Sequence, residues 1–310
     1  MAAAKKRTRK RSTTSRRRRA GTTPAWRAAM AAGQSQAELV IQAQTGKQRS
    51  RRRLRGPGPG LIVAEGDSWF DYPFFDVLEE MEDTFDYSVE AVAHRGDRVE
   101  GMAYDPGQLD SLWRLLVKLA RDKRVPKVIL LSGGGNDIAG EEFAMVLNHK
   151  LSGLPALNNK VVEGLFDERL RFAIVTLANA VTRFTEAAFN KRIPMVIHGY
   201  DYPVPDGRGY LGGFSLLPGP WLEPGFRLKG YDRLPERVQI MTDIMDRFNA
   251  MLKTVANGPG LEHLHYCDLR GTLSNALPKA YKKWWNDELH PTEKGFELIA
   301  GRIDAAIASL

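Results

Sequence analysis

The chain is poor in cysteine: 310 residues hold one, Cys267. No internal disulfide can form, and that usage suits a reducing compartment. Histidine is scarce as well, with six in all, and no His-Glu-x-x-His or Cys-x-x-Cys pair marks a zinc site. His263 and His265 alternate with Cys267, but no carboxylate converges on them. Gly46-Lys47 has neither the upstream glycine nor the following Ser or Thr of a phosphate-binding loop, and no Gly-x-Gly-x-x-Gly follows a strand-like run. No metal and no cofactor are therefore expected. Nor does any stretch reach the ~20 apolar residues needed to cross a bilayer.

Acidic residues are nearly missing from the front of the chain. Residues 1–60 carry 17 of the 45 Lys and Arg but only one acid, Glu38, a net charge of +16; the 28 bases and 36 acids that follow give −8. The formal +8 thus describes no real surface. This basic front, ending in Gly56-Pro57-Gly58-Pro59-Gly60, reads as a disordered arm that buries too little apolar area to offset the entropy of ordering. Such clusters gain affinity for nucleic acid or an anionic surface by releasing counterions. A solubilising tail, or translation starting at Met30, is the plainer reading of the same residues. The arginine pairs also raise a twin-arginine export signal, but Ala20 to Gly33 is interrupted by Pro24 and Arg27, so a cytoplasmic location is expected.

From residue 61 to 310 strand-like and helical runs alternate in one domain with an ample apolar content. The strand-like runs are Leu61 to Ala64, Tyr87 to Ala93, Lys127 to Leu131, Met195 to His198 and Leu264 to Leu269. Helical spacing falls at Phe74 to Met81, Leu109 to Arg121, Val161 to Asn190, Glu236 to Ala256 and Glu293 to Ile307. The alternation predicts an α/β fold with a parallel sheet covered by helices on both faces. In the fourth helix Val238, Met241, Ile244, Met245, Phe248, Met251 and Leu252 recur three or four apart, a core face rather than a cofactor box. Pro291 is expected near the first turn of the last helix.

Two of the strand-like runs end in polar, glycine-bearing motifs. Gly66-Asp67-Ser68 follows the first, and Gly133-Gly134-Gly135-Asn136-Asp137 follows the third. In an open parallel sheet ligands bind beyond the carboxyl ends of the strands, so Ser68 and Asn136 are predicted to face one cleft. A serine hydroxyl needs an adjacent base to act as a nucleophile, and the base needs a third group to fix its tautomer. Asp287-Glu288-Leu289-His290, before the last helix, offers both. Asp287 and His290 are three apart, which lets the carboxylate reach the imidazole Nδ1. Glycines let backbone N–H groups approach an oxyanion, and Gly96, in His94-Arg95-Gly96-Asp97, is a further donor. A helix-capping aspartate beside a surface histidine would explain Asp287 and His290 alone.

In this order the four motifs resemble those of the SGNH hydrolases, also called GDSL esterases and lipases. Gly66-Asp67-Ser68 resembles the nucleophile block, Gly96 the glycine block, with Gly101 as an alternative, Gly134 to Asp137 the Gly-x-Asn-Asp block, and Asp287 to His290 the Asp-x-x-His block. Trp69 stands where the family name calls for leucine. The resemblance implies a three-layer α/β/α sandwich with a five-stranded parallel sheet. It also implies hydrolysis of a lipid, carbohydrate or other small ester, with Ser68 attacking, His290 and Asp287 completing a triad, and Ser68 N–H, Gly96 N–H and the Asn136 amide stabilising the oxyanion. Gly66 to Phe70 does not match the Gly-x-Ser-x-Gly elbow of α/β-hydrolases. The other function class open to the sequence is a binding or scaffold protein that engages polyanions through the basic front.

Outside the four motifs, Tyr202 to Leu234 reads as a long connection at the same sheet edge, expected to shape the acyl or alcohol pocket. Trp284-Trp285 is read as a cleft wall or as packing under the last helix. His94 and His198 are read as local hydrogen-bonding residues or cleft lining.

Overall fold

Apolar side chains on both faces of a strand can be buried only in a sheet covered on both sides. Leu61-Ile62-Val63-Ala64-Glu65 is buried at every position, as are Val128 to Leu131 and Met195 to His198. In the computed structural model, which describes residues 23–31, 34, 38, 58–73, 75–210 and 218–310, these are the three inner strands of a five-stranded sheet. The strands are β1 (Leu61–Glu65), β2 (Ser88–Ala91), β3 (Val128–Leu131), β4 (Met195–His198) and β5 (Leu264–Cys267), in the order β2-β1-β3-β4-β5 and all parallel. Ile62 lies beside Val89 and Val128, which sets the register at the centre.

The helices are α1 (24–31), α2 (Val77–Asp83), α3 (Val99–Tyr104), α4 (Pro106–Arg121), α5 (Gly135–Ile138), α6 (Asn159–Glu163), α7 (Arg171–Phe189), α8 (Glu223–Leu228), α9 (Leu234–Ala256) and α10 (Glu293–Ala308). α2 and α10 pack together on one face; α3, α4, α7 and α9 pack on the other. This is the expected three-layer α/β/α sandwich. The strand order reverses direction between β1 and β3, and the loops leaving those two strands carry Ser68 and Asn136.

Local chemistry sets several boundaries. Asp105 caps α4 by accepting from Gly107 N at 2.7 Å, with Pro106 in the first turn. The helix predicted over 161–190 is interrupted: α6 passes into a π-helical turn, Gly164–Leu170, before α7. Apolar spacing alone cannot separate a widened turn from a regular one. α3 was not expected; its first amide, Val99 N, donates to Asp137 Oδ2 at 2.9 Å, a cap from a residue 38 positions away. Pro291 precedes the last helix instead of opening it: it forms a bridge with Trp285, and Thr292 caps α10 by accepting from Gly295 N at 3.2 Å. The 202–234 connection contains α8, so it is not without regular structure.

The reading of residues 1–60 as an arm outside the domain is corrected for α1. Trp26 and Ala29 are buried in the main core. The Trp26 indole donates to Pro259 O at 3.3 Å, and the Thr176 hydroxyl and Asn179 amide of α7 donate to Ala29 O and Met30 O. Averaged over a basic stretch, one tryptophan at a core spacing leaves no visible signal. The remainder of that stretch, 1–22 and 39–57 in the main, lies outside the described residues. Trp26→Ala should destabilise the domain by about 3 kcal/mol, seen as a lower urea midpoint. Replacing the exposed neighbour Arg27 by Ala should leave the midpoint in place.

Candidate active site

The Ser68 loop is fixed by its neighbour. Asp67 is buried, and its carboxylate accepts from Trp69 N at 3.1 Å, Ser132 Oγ at 2.9 Å and the Tyr200 hydroxyl. Tyr200 Oη in turn accepts from Gly135 N at 3.3 Å, so one carboxylate joins the ends of β1, β3 and β4. Gly66 is required here: a Cβ would lie 2.7 Å from Ser132 Cβ and 2.9 Å from its carbonyl oxygen. Gly134 has φ +113°, and a Cβ there would lie 2.6 Å from the Phe248 ring. These glycines let the two loops meet across the switch point.

The structure brings Ser68, His290 and Asp287 into one hydrogen-bonded chain. Ser68 Oγ lies 2.8 Å from His290 Nε2, and His290 Nδ1 lies 3.0 Å from both carboxylate oxygens of Asp287. Asp287 Oδ1 also accepts from Leu289 N and His290 N at 2.8 Å, and Oδ2 from the Tyr72 hydroxyl at 3.0 Å. Burial pulls the Asp287 carboxyl up, but the bonds and charge of His290 and the two amides outweigh it and hold the group below the usual carboxylate range. It is therefore ionised at neutral pH. Tyr72 stacks on the imidazole at 4.2 Å between ring centres, and Trp221 meets it edge-on at 5.5 Å.

Gly96 and Asn136 face the same space. With Ser68, Tyr72, Tyr210, Trp221 and His290 they line a cavity of about 340 Å³. The Asn136 amide donates to Asp97 O at 2.9 Å, and Arg95 N and Nε donate to Asp71, which ties the Gly96 loop to both neighbouring loops. Ser68, Asn136 and Leu289 also line a second, narrow pocket of about 40 Å³ that runs inward among Trp69, Ile138, Met245 and Trp285. Trp69 fills its place with a function leucine lacks: its indole N–H donates to Leu289 O at 3.1 Å, linking the serine loop to the histidine loop.

The other candidates fall into place around this chain. Trp285 is a wall of the narrow pocket and is fully buried. His198 is buried beneath Trp69, with Nδ1 2.8 Å from Gly199 O, and burial lowers its pKa, so it is neutral. His94 is exposed, and His263 lies 2.8 Å from Thr182 Oγ1, far from the site. Among the described residues no group of three or more His, Cys, Asp or Glu gathers as a metal site would need, and no helix is long and apolar enough to cross a membrane. Tyr72, Tyr200 and Glu288 were not singled out by the sequence reading, whereas Trp221 belongs to the 202–234 connection expected to shape the pocket and does line the larger cavity. Glu288 alone had a visible signal, as an acid inside the Asp-x-x-His motif.

A family model described as GDSL-like Lipase/Acylhydrolase family matches residues 56–298. No curated protein matches the chain. Solved structures with a similar course include a catalytic mutant of Axe2, an acetylxylan esterase from Geobacillus stearothermophilus, at 14% identity and TM-score 0.41, covering 82% of this chain and 96% of that one. A carbohydrate acetylesterase family member from Sinorhizobium meliloti has 13% identity and TM-score 0.41, with 81% and 98% covered. LAE5, an alpha/beta hydrolase enzyme from the metagenome of Lake Arreo, Spain, has 16% identity and TM-score 0.41, with 81% and 96% covered.

Three acids at this edge are pushed up by burial: Glu65 to about 8, where Asp97 adds repulsion, Glu288 to about 7 and Asp137 to about 6. Each binds a proton more tightly folded than unfolded, so stability is lost as pH rises from the ordinary carboxylate range to about 8. Melting temperature should fall between pH 5 and pH 8, and Glu65→Gln should remove part of that fall. A melting temperature as pH-dependent in the variant as in the wild type would sink the assignment to Glu65.

Proposed function

Because the chain belongs to the GDSL-like Lipase/Acylhydrolase family, a family of ester-cleaving enzymes, we propose that it hydrolyses short-chain carboxylic esters through an acyl-enzyme on Ser68. The observation that carries this reading is the unbroken bonded series Ser68 Oγ, His290 Nε2, His290 Nδ1 and Asp287 at 2.8 and 3.0 Å. His290 takes the hydroxyl proton as Ser68 Oγ attacks the ester carbonyl, and Asp287 holds the ring and stabilises its cation. The oxyanion receives hydrogen bonds from the Asn136 amide and from the backbone N–H groups of Ser68 and Gly96. His290 then gives its proton to the departing alkoxide. In the second half it takes a proton from water, which attacks the acyl-serine, and returns that proton to Ser68 Oγ as the C–O bond to the serine breaks and the acid is freed.

The two cavities that share Ser68 and Asn136 differ almost tenfold in volume, about 40 and 340 Å³. A space of 40 Å³ holds only a few atoms beyond the reacting carbon, whereas the larger one falls in the range of small-molecule sites. The acyl chain, acetyl or slightly longer, is assigned to the narrow apolar pocket. The alcohol portion is assigned to the wider, aromatic-lined cavity.

Hydrolysis of p-nitrophenyl acetate, butyrate, hexanoate and octanoate tests both assignments. kcat/KM should be highest for the acetate or butyrate and fall by about tenfold or more at octanoate. Ser68→Ala should lose several orders of magnitude in kcat, Asp287→Asn about 10⁴-fold through the wrong imidazole tautomer, and Asn136→Ala about 100-fold or more. Wild-type rates in Ser68→Ala would overturn the mechanism; equal rates on acetate and octanoate would overturn the acyl assignment alone.

A further inference from the structure

Glu288 sits between the two residues assigned to the base, yet it faces away from them. Its side chain is fully buried. Four backbone amides donate to it: Gly207 N at 2.9 Å and Glu223 N at 3.0 Å to Oε1, and Trp221 N at 2.7 Å and Leu222 N at 2.8 Å to Oε2. Those donors come from both ends of the segment that follows β4, before and after the stretch between Tyr210 and Pro218. Around the carboxylate the seam continues: Glu288 N donates to Arg208 O at 3.2 Å, and Arg208 Nη1 donates to the carbonyls of Trp285 and Asn286 at 2.9 and 2.8 Å.

Above about pH 7, where Glu288 is ionised, its carboxylate offers about four acceptor positions and no donor. Four amides saturate it, so no acceptor position of Glu288 remains for substrate or for His290. The same four amides have no comparable partner if the carboxylate is removed, and unpaired buried donors are costly. Glu288 therefore fixes where the segment crosses the site. What it fixes most directly is Trp221, whose N–H it holds, whose carbonyl accepts from Gly140 N at 3.1 Å, and whose indole lies edge-on to His290 and lines the 340 Å³ cavity with Tyr210 and Pro218.

We propose that Glu288 is a specificity-setting positioning residue: by holding Gly207 together with Trp221, Leu222 and Glu223 it sets the wall of Tyr210, Pro218 and Trp221 against which the alcohol portion of the ester packs. The inference rests on the esterase reading above. It assigns Glu288 to substrate fit and not to proton transfer, and it predicts an enzyme selective for esters of bulky, flat alcohols over small ones.

The series Glu288→Gln and Trp221→Ala tests it, with acyl group held constant as acetate and the alcohol varied from ethyl to 2-naphthyl. In Glu288→Gln the amide nitrogen would face two N–H donors, so the wall shifts while shape and volume barely change. KM for 2-naphthyl acetate should rise about tenfold or more, while kcat for ethyl acetate falls by less than about threefold. Hydrogen exchange at the amides of Trp221, Leu222 and Glu223 should speed up in that variant. Trp221→Ala keeps its own backbone bond to Glu288 and should reproduce the KM rise without the faster exchange, which keeps the test open if Glu288→Gln folds poorly. An equal loss on both acetates, or unchanged KM for 2-naphthyl acetate in Trp221→Ala, would overturn the proposal. The exchange measurement needs no turnover, so faster exchange in Glu288→Gln alongside a wild type that cleaves no ester would overturn the esterase reading and leave the clamp standing.

Discussion

A carboxylate taken out of water must be given hydrogen-bond donors or a proton, and that constraint organises the functional edge of this protein. Every buried acid among the described residues lies beyond or at the carboxyl end of a strand: Glu65 and Asp67 at β1, Asp137 after β3, Asp201 after β4, and Asp287 and Glu288 after β5. Most find their donors in a different loop from their own. Asp67 reaches Ser132 and Tyr200, Asp137 reaches Val99, Asp201 accepts from Gly271 N and Leu273 N, and Glu288 accepts from Gly207, Trp221, Leu222 and Glu223. The loops that carry Ser68, Asn136 and His290 are thereby tied to one another as well as to the strands they leave. The sheet supplies the direction, and the carboxylates supply the lateral ties.

Rigidity at this edge matters because the proposed chemistry depends on placement. A nucleophile, a base and oxyanion donors must keep their spacing within a fraction of an ångström to lower a barrier. Ser68 is half-buried, but the residues on either side of it are locked, Asp67 by three donors and Trp69 by its indole bond to Leu289. His290 is similarly confined between the Tyr72 ring and the Asp287 carboxylate. Side-chain freedom at Ser68 and His290 is thus reduced both by Asp287, a member of the proposed triad, and by Tyr72 and Trp69, which have no part in the proposed proton transfer.

The legible part of this design was the local part. Strands and most helices follow from apolar spacing; each site motif alone could be an ordinary turn or cap, and it is the four together, in order, that made the candidate site visible. The three-residue spacing of Asp287 and His290 is a contact that sequence separation alone permits. Tyr72 and Tyr200 were illegible because they act across 215 and 133 residues, and an aromatic residue in an apolar region looks like core until its hydroxyl partner is known. α1 was hidden by its brevity, since a single tryptophan in a short alanine-rich run between two basic clusters sets no core periodicity. The π-helical turn at Gly164–Leu170 was hidden by periodicity, since the apolar face runs through it without a break.

Asp287 and Glu288 show how far adjacent residues of like chemistry can be separated by environment. The two carboxylates leave this bend in different directions, one toward the imidazole and the other toward Gly207 and Trp221 to Glu223 across the cavity. Asp287 meets a ring nitrogen able to carry positive charge, and its pKa falls. Glu288 meets only neutral amides, and four of them do not outweigh the cost of burial, which leaves it at about 7. Charge complementarity therefore goes to the residue assigned to the base, and dipolar saturation goes to the one assigned to shape. A glutamate is needed in the second place because its extra methylene carries the carboxylate past the turn to amides of two distant strands of loop. The aspartate in the first place is short enough to hold the ring three residues on without reaching beyond it.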